Sequence, residues 1–180
     1  ADRNIKRIQK RLRDGSFEFE AQVGVAKKKS SGNGKRGIVM ASIHNRVVER
    51  ALLDALQLHS PFVKVVIARE TSVGGVPERS VPHGLKIIND AMRSGHQHFV
   101  RSDISGFFDG IPRKAVLDRI AADVADERFS ALLDKATTVV LANEKALGED
   151  RKIFPTDDEG VAQGSPLSPL FGNVLLYDFD

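Results

Sequence analysis

The stretch FVRSDISGFFDGIP, residues 99–112, places two aspartates among apolar residues. Its first part, residues 99–104, is predicted to form a buried strand because its ends are apolar. Asp103 lies in that strand, and a carboxylate is costly to bury unless it is paired or binds a metal. Magnesium would suit it, because this ion takes one or two carboxylates and completes its shell with phosphates. The alternative is that Asp103 caps a turn at the strand end, with Phe107 and Phe108 in the core.

A second candidate site is the stretch GVAQGSPLSP, residues 160–169. Gly164 suits a tight turn, and the Ser-Pro pair after it suits the start of a helix. The free backbone N–H groups at such a helix start can also bind an anion such as phosphate. Gln163, just before the turn, could donate a hydrogen bond to a base or a sugar. Taken alone, this stretch is compatible with local turn chemistry and with a phosphate site.

Positive charge is concentrated at the start of the chain. Residues 1–50 contain 13 Lys and Arg against 5 Asp and Glu, whereas residues 51–180 contain 14 against 19. This surplus indicates a polyanionic partner, and nucleic acid is a candidate. Lys35 and Arg36, at the end of a basic Gly/Ser-rich stretch, suit phosphate contacts, Arg by bidentate hydrogen bonding. The alternative is a solvated charged helix followed by a flexible basic loop.

Composition excludes several classes of protein. The chain has no cysteine, so it has neither a disulfide framework nor a cysteine-based metal site. No apolar run approaches the roughly 18 residues of a membrane span, and the charged N-terminus has no signal-peptide pattern. We therefore expect a soluble, cytoplasmic protein without a membrane partner. The pair His96 and His98 and the acidic run 157–159 are better explained as turns, because neither has the ligand pattern of a zinc or calcium site.

These candidate residues must be positioned by mixed secondary structure. A strand at residues 17–21 and a returning strand at 37–41 are predicted to form a hairpin with a basic tip at 27–36. A second hairpin is predicted from strands at 152–154 and 161–163. Ser42 is the predicted N-cap of the second helix. Helical spacing of apolar residues predicts helices at 5–12, 47–58, 84–93, 115–124, 128–147 and 166–180. Helices and strands interleave without a βαβ repeat, which favours an α+β fold.

In their order along the chain, these motifs resemble those of the bacterial reverse transcriptases, the group that includes group II intron and retron enzymes. FVRSDISGFFDGI is similar to the first catalytic motif of that family, an aspartate followed by paired aromatics. GVAQGSPLSPL is similar to its Gln-Gly-Ser-Pro motif. GKRGI and the following IHNRVVERAL are similar to its fingers segment, and residues 71–85 to the stretch upstream of the catalytic aspartate. The resemblance covers nearly all of the chain from about Phe17.

The resemblance implies a fold and an activity. The fold is that of a right-hand polymerase, with fingers at residues 1–98 and a partial palm at 99–180 that carries a fingers-like helical insertion at about 112–150. The activity is RNA-directed DNA polymerisation, a magnesium-dependent nucleotidyl transfer on a primer–template with two metal ions. The implied partners are an RNA template, a DNA primer and a dNTP.

The resemblance also implies roles for individual residues. Asp103 would bind both magnesium ions, and the backbone carbonyl of Ile104 would bind one of them. Phe108 would press against the sugar and exclude a 2′-hydroxyl, while Gln163 and Gly164 would contact the incoming nucleotide and the template strand. The remaining expected contacts are basic: Lys35 and Arg36 to the triphosphate, and Lys27, Lys28, Lys29 and Arg46 to nucleic acid.

One motif of the family is not found. Its Tyr-x-Asp-Asp hairpin has no match, because the aspartates of LYDFD at residues 176–180 are not adjacent and lie on the last predicted helix. The chain is therefore expected to stop before the second catalytic motif and the thumb, and to be inactive as a polymerase by itself. Two alternatives stay open: a non-catalytic RNA- or DNA-binding module, and an assembly half completed by self-association or a second chain. An exposed apolar face on the last helix would favour the second of these (Leu170, Val174, Leu175 and Phe179).

Overall fold

A computed structural model of the protein describes residues 2–30, 32 and 34–179; Ser31 and Asn33 of the predicted basic tip lie outside the described residues. The described chain is mainly helical and contains one antiparallel hairpin, which agrees with the predicted α+β class. The division into fingers and palm stays a prediction. The elements in chain order are α1 (Asp2–Arg13), β1 (Val23–Lys28), β2 (Lys35–Met40), α2 (Ile43–His59), α3 (Pro61–Ala68), α4 (Val81–Arg93), a 3₁₀ turn (Phe107–Asp109), α5 (Arg113–Asp123), α6 (Glu127–Thr137), α7 (Glu144–Leu147), a second 3₁₀ turn (Gly148–Ile153) and α8 (Ser168–Leu176).

A hairpin with a basic tip is present as predicted, but its first strand lies at residues 23–28 and not at 17–21. β1 and β2 pair in an antiparallel register that runs from Val23 opposite Met40 to Lys28 opposite Lys35. The hairpin packs closely on the second 3₁₀ turn, since a Cβ atom built on Gly37 would lie 2.4 Å from the carbonyl oxygen of Ile153. Glycine is therefore required at this point of β2.

The helix after the hairpin begins as predicted. The Ser42 hydroxyl accepts a hydrogen bond from the backbone N–H of Asn45 (3.2 Å) and caps α2. Ser60 ends α2 and caps α3, and its hydroxyl also donates to Asp123 at the end of α5. This serine fixes a bend of 89° between the two helices. In the described part of the chain, no helix taken singly is long and apolar enough to cross a membrane, and only the bent pair α2–α3 reaches that length and composition together.

The main core joins the first helix to the last. Its buried side chains come from six helices and the loops between them, and include Ile8, Leu56, Ile120, Leu133 and Phe171. The predicted apolar face of the last helix is largely covered by this core, because Leu170 and Val174 are buried and Leu175 is half-buried. Of that predicted set, Phe179 is exposed. A smaller second core supports the hairpin (Val39, Val139, Leu141, Phe154 and Ala162).

The predicted buried strand at residues 99–104 is wrong. The segment has no regular structure, and Phe99, Val100 and Ile104 are 86%, 97% and 54% exposed. Among the described residues no strand lies beside it. Its backbone therefore has no neighbouring strand to form hydrogen bonds with, and its apolar side chains have no surface to pack against in the described part of the chain.

Three further predicted elements differ because long-range contacts override local pattern. The helix predicted at 128–147 ends at Thr137, because residues 138–142 run extended beside Gln22. The backbone N–H of Gln22 donates to the Val140 carbonyl, and its carbonyl accepts from the Ala142 N–H, both at 2.8 Å. The segment 17–21 is not a strand, and Phe17 is buried in the main core. The second hairpin is also absent from the described residues, because Gln163 pairs with Ile38 of β2 instead.

Candidate functional site

A cavity of about 820 Å³ lies between the first turns of α2 and the loop at residues 160–168. Arg46 and Arg50 of α2 form one wall, and Gln163 and Gly164 form part of the other, with Phe108 beside them. Four of the predicted site residues thus line one cavity although they lie far apart in sequence. Two arginines on a single wall suit an anionic ligand.

The loop on the opposite wall is held by backbone hydrogen bonds. The Gln163 carbonyl accepts from the N–H of Val39 at 3.0 Å, which attaches the loop to β2. Gly164 has φ +124°, and a Cβ atom there would lie 3.0 Å from the Val39 carbonyl oxygen. The Ser168 hydroxyl donates to the Ala162 carbonyl at 2.6 Å and closes the turn before α8. The sequence QGSP therefore fixes the backbone of Gln163 by turn geometry.

Asp109 orients the Gln163 side chain. The Nε2 atom of Gln163 donates to Oδ1 of Asp109 at 2.8 Å, so the two candidate motifs are joined by a hydrogen bond. Phe108 is half-buried, and its ring lies 5.4 Å from the ring of Phe107. Gly172 of α8 allows this packing, since a Cβ atom there would lie 2.8 Å from the Phe107 ring.

A buried carboxylate connects the two walls of the cavity. Glu49 of α2 is 1% exposed, and one of its carboxylate oxygens accepts from the Ser165 hydroxyl at 3.0 Å. Burial raises the pKa of Glu49 above its ordinary value, while the bond from Ser165 and the charge of Arg46 oppose that shift. The loop is thus attached to β2 through its backbone and to α2 through a buried side chain.

The predicted metal ligands lie elsewhere. Asp103 and Ile104 are exposed and line a separate cavity of about 330 Å³ with Phe107, Leu176 and Phe179. A carboxylate is the right donor for magnesium, but in the described chain no group of three or more His, Asp or Glu side chains could hold a metal ion. The residues present therefore do not make up the two-metal site that the resemblance implies.

The predicted basic contacts of the hairpin are only partly free. The Lys35 ammonium donates to both carboxylate oxygens of Asp150, at 2.8 and 2.7 Å. Arg36 is exposed on β2, and Lys27 and Lys28 are exposed on β1, with Lys29 just beyond the strand. None of these residues lines the cavity beside α2. The structure thus separates the hairpin lysines from Gln163 and Phe108.

Three residues of the site have contacts that the sequence does not reveal. Arg50 lies one turn after Arg46 on α2 and pairs with Asp54 at 2.8 Å; the spacing of four residues could have indicated that both arginines share a face. Asp109 is evident in the sequence as a second carboxylate, but the residues around it do not indicate that Gln163 is its hydrogen-bond partner. Glu49 resembles any charged helix residue in the sequence, and its partner Ser165 lies 116 positions away.

Relatives were found among curated proteins, although no protein-family model matches the chain. Protein YkfC of Escherichia coli strain K12 is 30% identical over 155 residues, which is 82% of this chain and 37% of YkfC. The uncharacterized 91 kDa protein in the cob intron of Schizosaccharomyces pombe is 28% identical over 98% of this chain and 20% of its own length. The group II intron-encoded protein LtrA of Lactococcus lactis subsp. cremoris is 27% identical over 100% of this chain and 28% of LtrA.

The fold is similar to a chain of the partial Cas6-RT-Cas1–Cas2 complex. The TM-score is 0.56 at 21% identity, and the match covers 99% of this chain and 29% of that one. At this identity the likeness establishes the fold. Together with the match to a group II intron-encoded protein along the whole chain, it confirms the resemblance drawn from the motifs. The chain spans 20–37% of the length of the curated relatives described above.

Proposed function

We propose that this chain is the template- and nucleotide-binding part of a reverse transcriptase, an RNA-directed DNA polymerase. The observation that supports this proposal is the single cavity that joins Arg46, Phe108, Gln163 and Gly164. The resemblance assigns contacts with the template or the incoming nucleotide to Phe108, Gln163 and Gly164, and Arg46 is a predicted nucleic-acid contact. Since the chain spans only part of its relatives, the polymerase activity is proposed for the full-length protein.

Nucleotidyl transfer leaves little covalent work to the protein, so positioning dominates. In our proposal Arg46 binds a phosphate of the template strand, and the amide of Gln163, oriented by Asp109, contacts the incoming nucleotide. The Phe108 ring packs against its sugar and leaves no room for a 2′-hydroxyl. Magnesium bound at Asp103 in the full-length protein would supply charge stabilisation.

A second candidate is a nucleic-acid-binding module without catalysis, or an assembly half. It is favoured by the exposed segment 99–104, where the apolar side chains next to Asp103 could be buried by a partner surface. The solved structures with a similar fold are chains of Cas6-RT-Cas1–Cas2 complexes. Completion of the site by another chain or by a second copy belongs to this candidate.

Binding of a labelled RNA–DNA primer–template tests the proposed cavity. We expect Arg46→Gln to weaken binding by about tenfold, the loss of one charge-assisted contact. Lys64→Gln is the matched control, because this exposed lysine of α3 lies outside the cavity. Equal affinities for the two variants would contradict the assignment of the cavity to nucleic acid.

Primer extension separates the two candidate functions. With magnesium and dNTPs, we expect no nucleotide incorporation by this chain, because the single carboxylate of Asp103 cannot hold two metal ions. In the full-length protein, Asp103→Asn should abolish incorporation while primer–template binding persists. Full-length protein that binds but never extends a primer would favour the non-catalytic module, and robust extension by residues 1–180 would contradict the expected inactivity.

A further inference from the structure

Helix α1 presents a dense row of positive charge. Of its 12 residues six are basic and one, Asp2, is acidic. Ile8 is buried and Leu12 is half-buried against the core, so most of the apolar side of the helix is packed, and only Ile5 of that side is exposed. The basic side chains therefore lie on the exposed faces of a rod about 18 Å long (Arg3, Lys6, Arg7, Lys10, Arg11 and Arg13).

The row of charge leads into a cleft of about 560 Å³ where the end of α1 meets α6. Four cationic side chains line this cleft: Arg11, Arg13, Arg128 and Lys135. Two of them are already ordered. Arg11 donates from Nε and Nη2 to the Ser16 carbonyl, at 3.2 and 3.0 Å, and Arg128 donates from Nη2 to the Arg13 carbonyl at 3.3 Å.

These charges are not neutralised within the described part of the chain. None of the four forms an ion pair there with a carboxylate. Asp126, the acidic residue in the wall, accepts the backbone N–H of Phe129 at 3.0 Å as the N-cap of α6. Asp14, the nearest carboxylate along the chain, accepts from the N–H and the hydroxyl of Ser16.

We propose that this cleft and the exposed side of α1 bind the phosphodiester backbone of nucleic acid, at a second site that shares no residue with the cavity beside α2. An extended row of cations suits a polymer of regularly spaced negative charges better than a single small anion. Membrane binding is disfavoured, because an interfacial helix needs a free apolar face, and of the three apolar residues of α1 only Ile5 is exposed.

Recognition at this site is by charge and not by base. Phe17 in the wall of the cleft is 5% exposed, and the Arg11 guanidinium lies 5.5 Å from the centroid of its ring. The other aromatic residue lining the cleft, Phe129, is half-buried against the main core, so little aromatic surface is open there for a base to stack on. Arginine and lysine contacts to phosphates carry no sequence information, so the site should bind different sequences equally.

The test is the salt dependence of binding of a short labelled single-stranded RNA and of the same sequence as DNA, between about 50 and 200 mM salt. We expect Arg13→Gln/Lys135→Gln to reduce the slope of log K against log salt by about 1.4, or about 0.7 for each lost phosphate contact. The matched control is Lys64→Gln/Arg93→Gln, which removes one lysine and one arginine, both exposed, from α3 and α4. Both altered side chains of the test variant are exposed, and urea denaturation will show that it stays folded.

Unchanged slope in the test variant, or an equal change in the control, would overturn the second site. Arg46→Gln, measured in parallel, keeps the two proposals distinguishable. If the cleft variant flattens the slope and Arg46→Gln has no effect, the second site stands and the proposed function fails; the reverse result has the opposite meaning. Equal slopes for RNA and DNA would support recognition of the shared backbone, and a loss confined to one of them would contradict it.

Discussion

Glu49 is the residue whose ionisation should affect stability most visibly. Its pKa is raised by burial, so the folded state disfavours the charged form. Stability is therefore lower above the folded pKa and rises as the pH falls through that value toward the ordinary pKa of glutamate. We expect wild-type protein to gain stability from this group on acidification from neutral pH, whereas Glu49→Gln, which keeps an acceptor for Ser165, should lack that gain.

Urea denaturation of both proteins at several pH values between neutrality and the ordinary glutamate pKa measures this difference. Other carboxylates titrate in both proteins, so the wild-type-minus-variant difference isolates Glu49. Glu18→Gln is the control, because this side chain is exposed. A difference that does not vary with pH would show that Glu49 titrates with its ordinary pKa, and the buried link between α2 and the loop would then need another explanation.

At the scale of elements, Asn143 holds the edge of the hairpin. Its amide accepts from the Gly24 N–H and donates to the Gly24 carbonyl, both at 2.8 Å, so one side chain takes the place of a third strand at β1. We expect Asn143→Ala to lower the free energy of unfolding by about 1–3 kcal/mol, because two partly buried backbone groups lose their partners. Chemical denaturation measures the loss, and Asn89→Ala on the exposed face of α4 should change it by less than about 0.5 kcal/mol.

The same residue shows what sequence can predict about these elements. Helical periodicity and caps are local, so α1, α2, α4 and the β1–β2 hairpin were predictable with shifted ends. Asn143 was placed inside a helix, since a side chain that bonds a glycine 119 positions away leaves no trace in its neighbourhood. The motif residues Gln163 and Phe108 share a cavity, and their proposed roles stay predictions. Asp103 is predicted in a strand, but such a strand needs neighbouring strands that the described residues do not provide.

At the scale of the whole molecule, one face is unusually apolar. Helix α4 buries none of its residues, and Val81, Leu85, Ile88 and Met92 recur along one stripe at 55–73% exposure. The exposed segment 99–104 follows it along the chain. Single exposed apolar residues are normal in proteins, whereas a continuous set of them usually marks an interaction surface. This apolar surface is the part of the molecule best suited to bind a second copy or another chain.

Replacement of two of these side chains by lysine tests whether the apolar surface drives self-association. Met92→Lys/Val100→Lys should lower the mass measured by light scattering at high protein concentration and leave the urea midpoint nearly unchanged, because both side chains are already mostly exposed. Leu58→Lys/Val65→Lys adds the same charge at exposed positions of α2 and α3 and should leave association intact. If both variants reduce association equally, net charge and not this surface controls it. If wild-type protein is monomeric at every concentration, the surface does not bind a second copy, and a partner chain becomes the occupant to test.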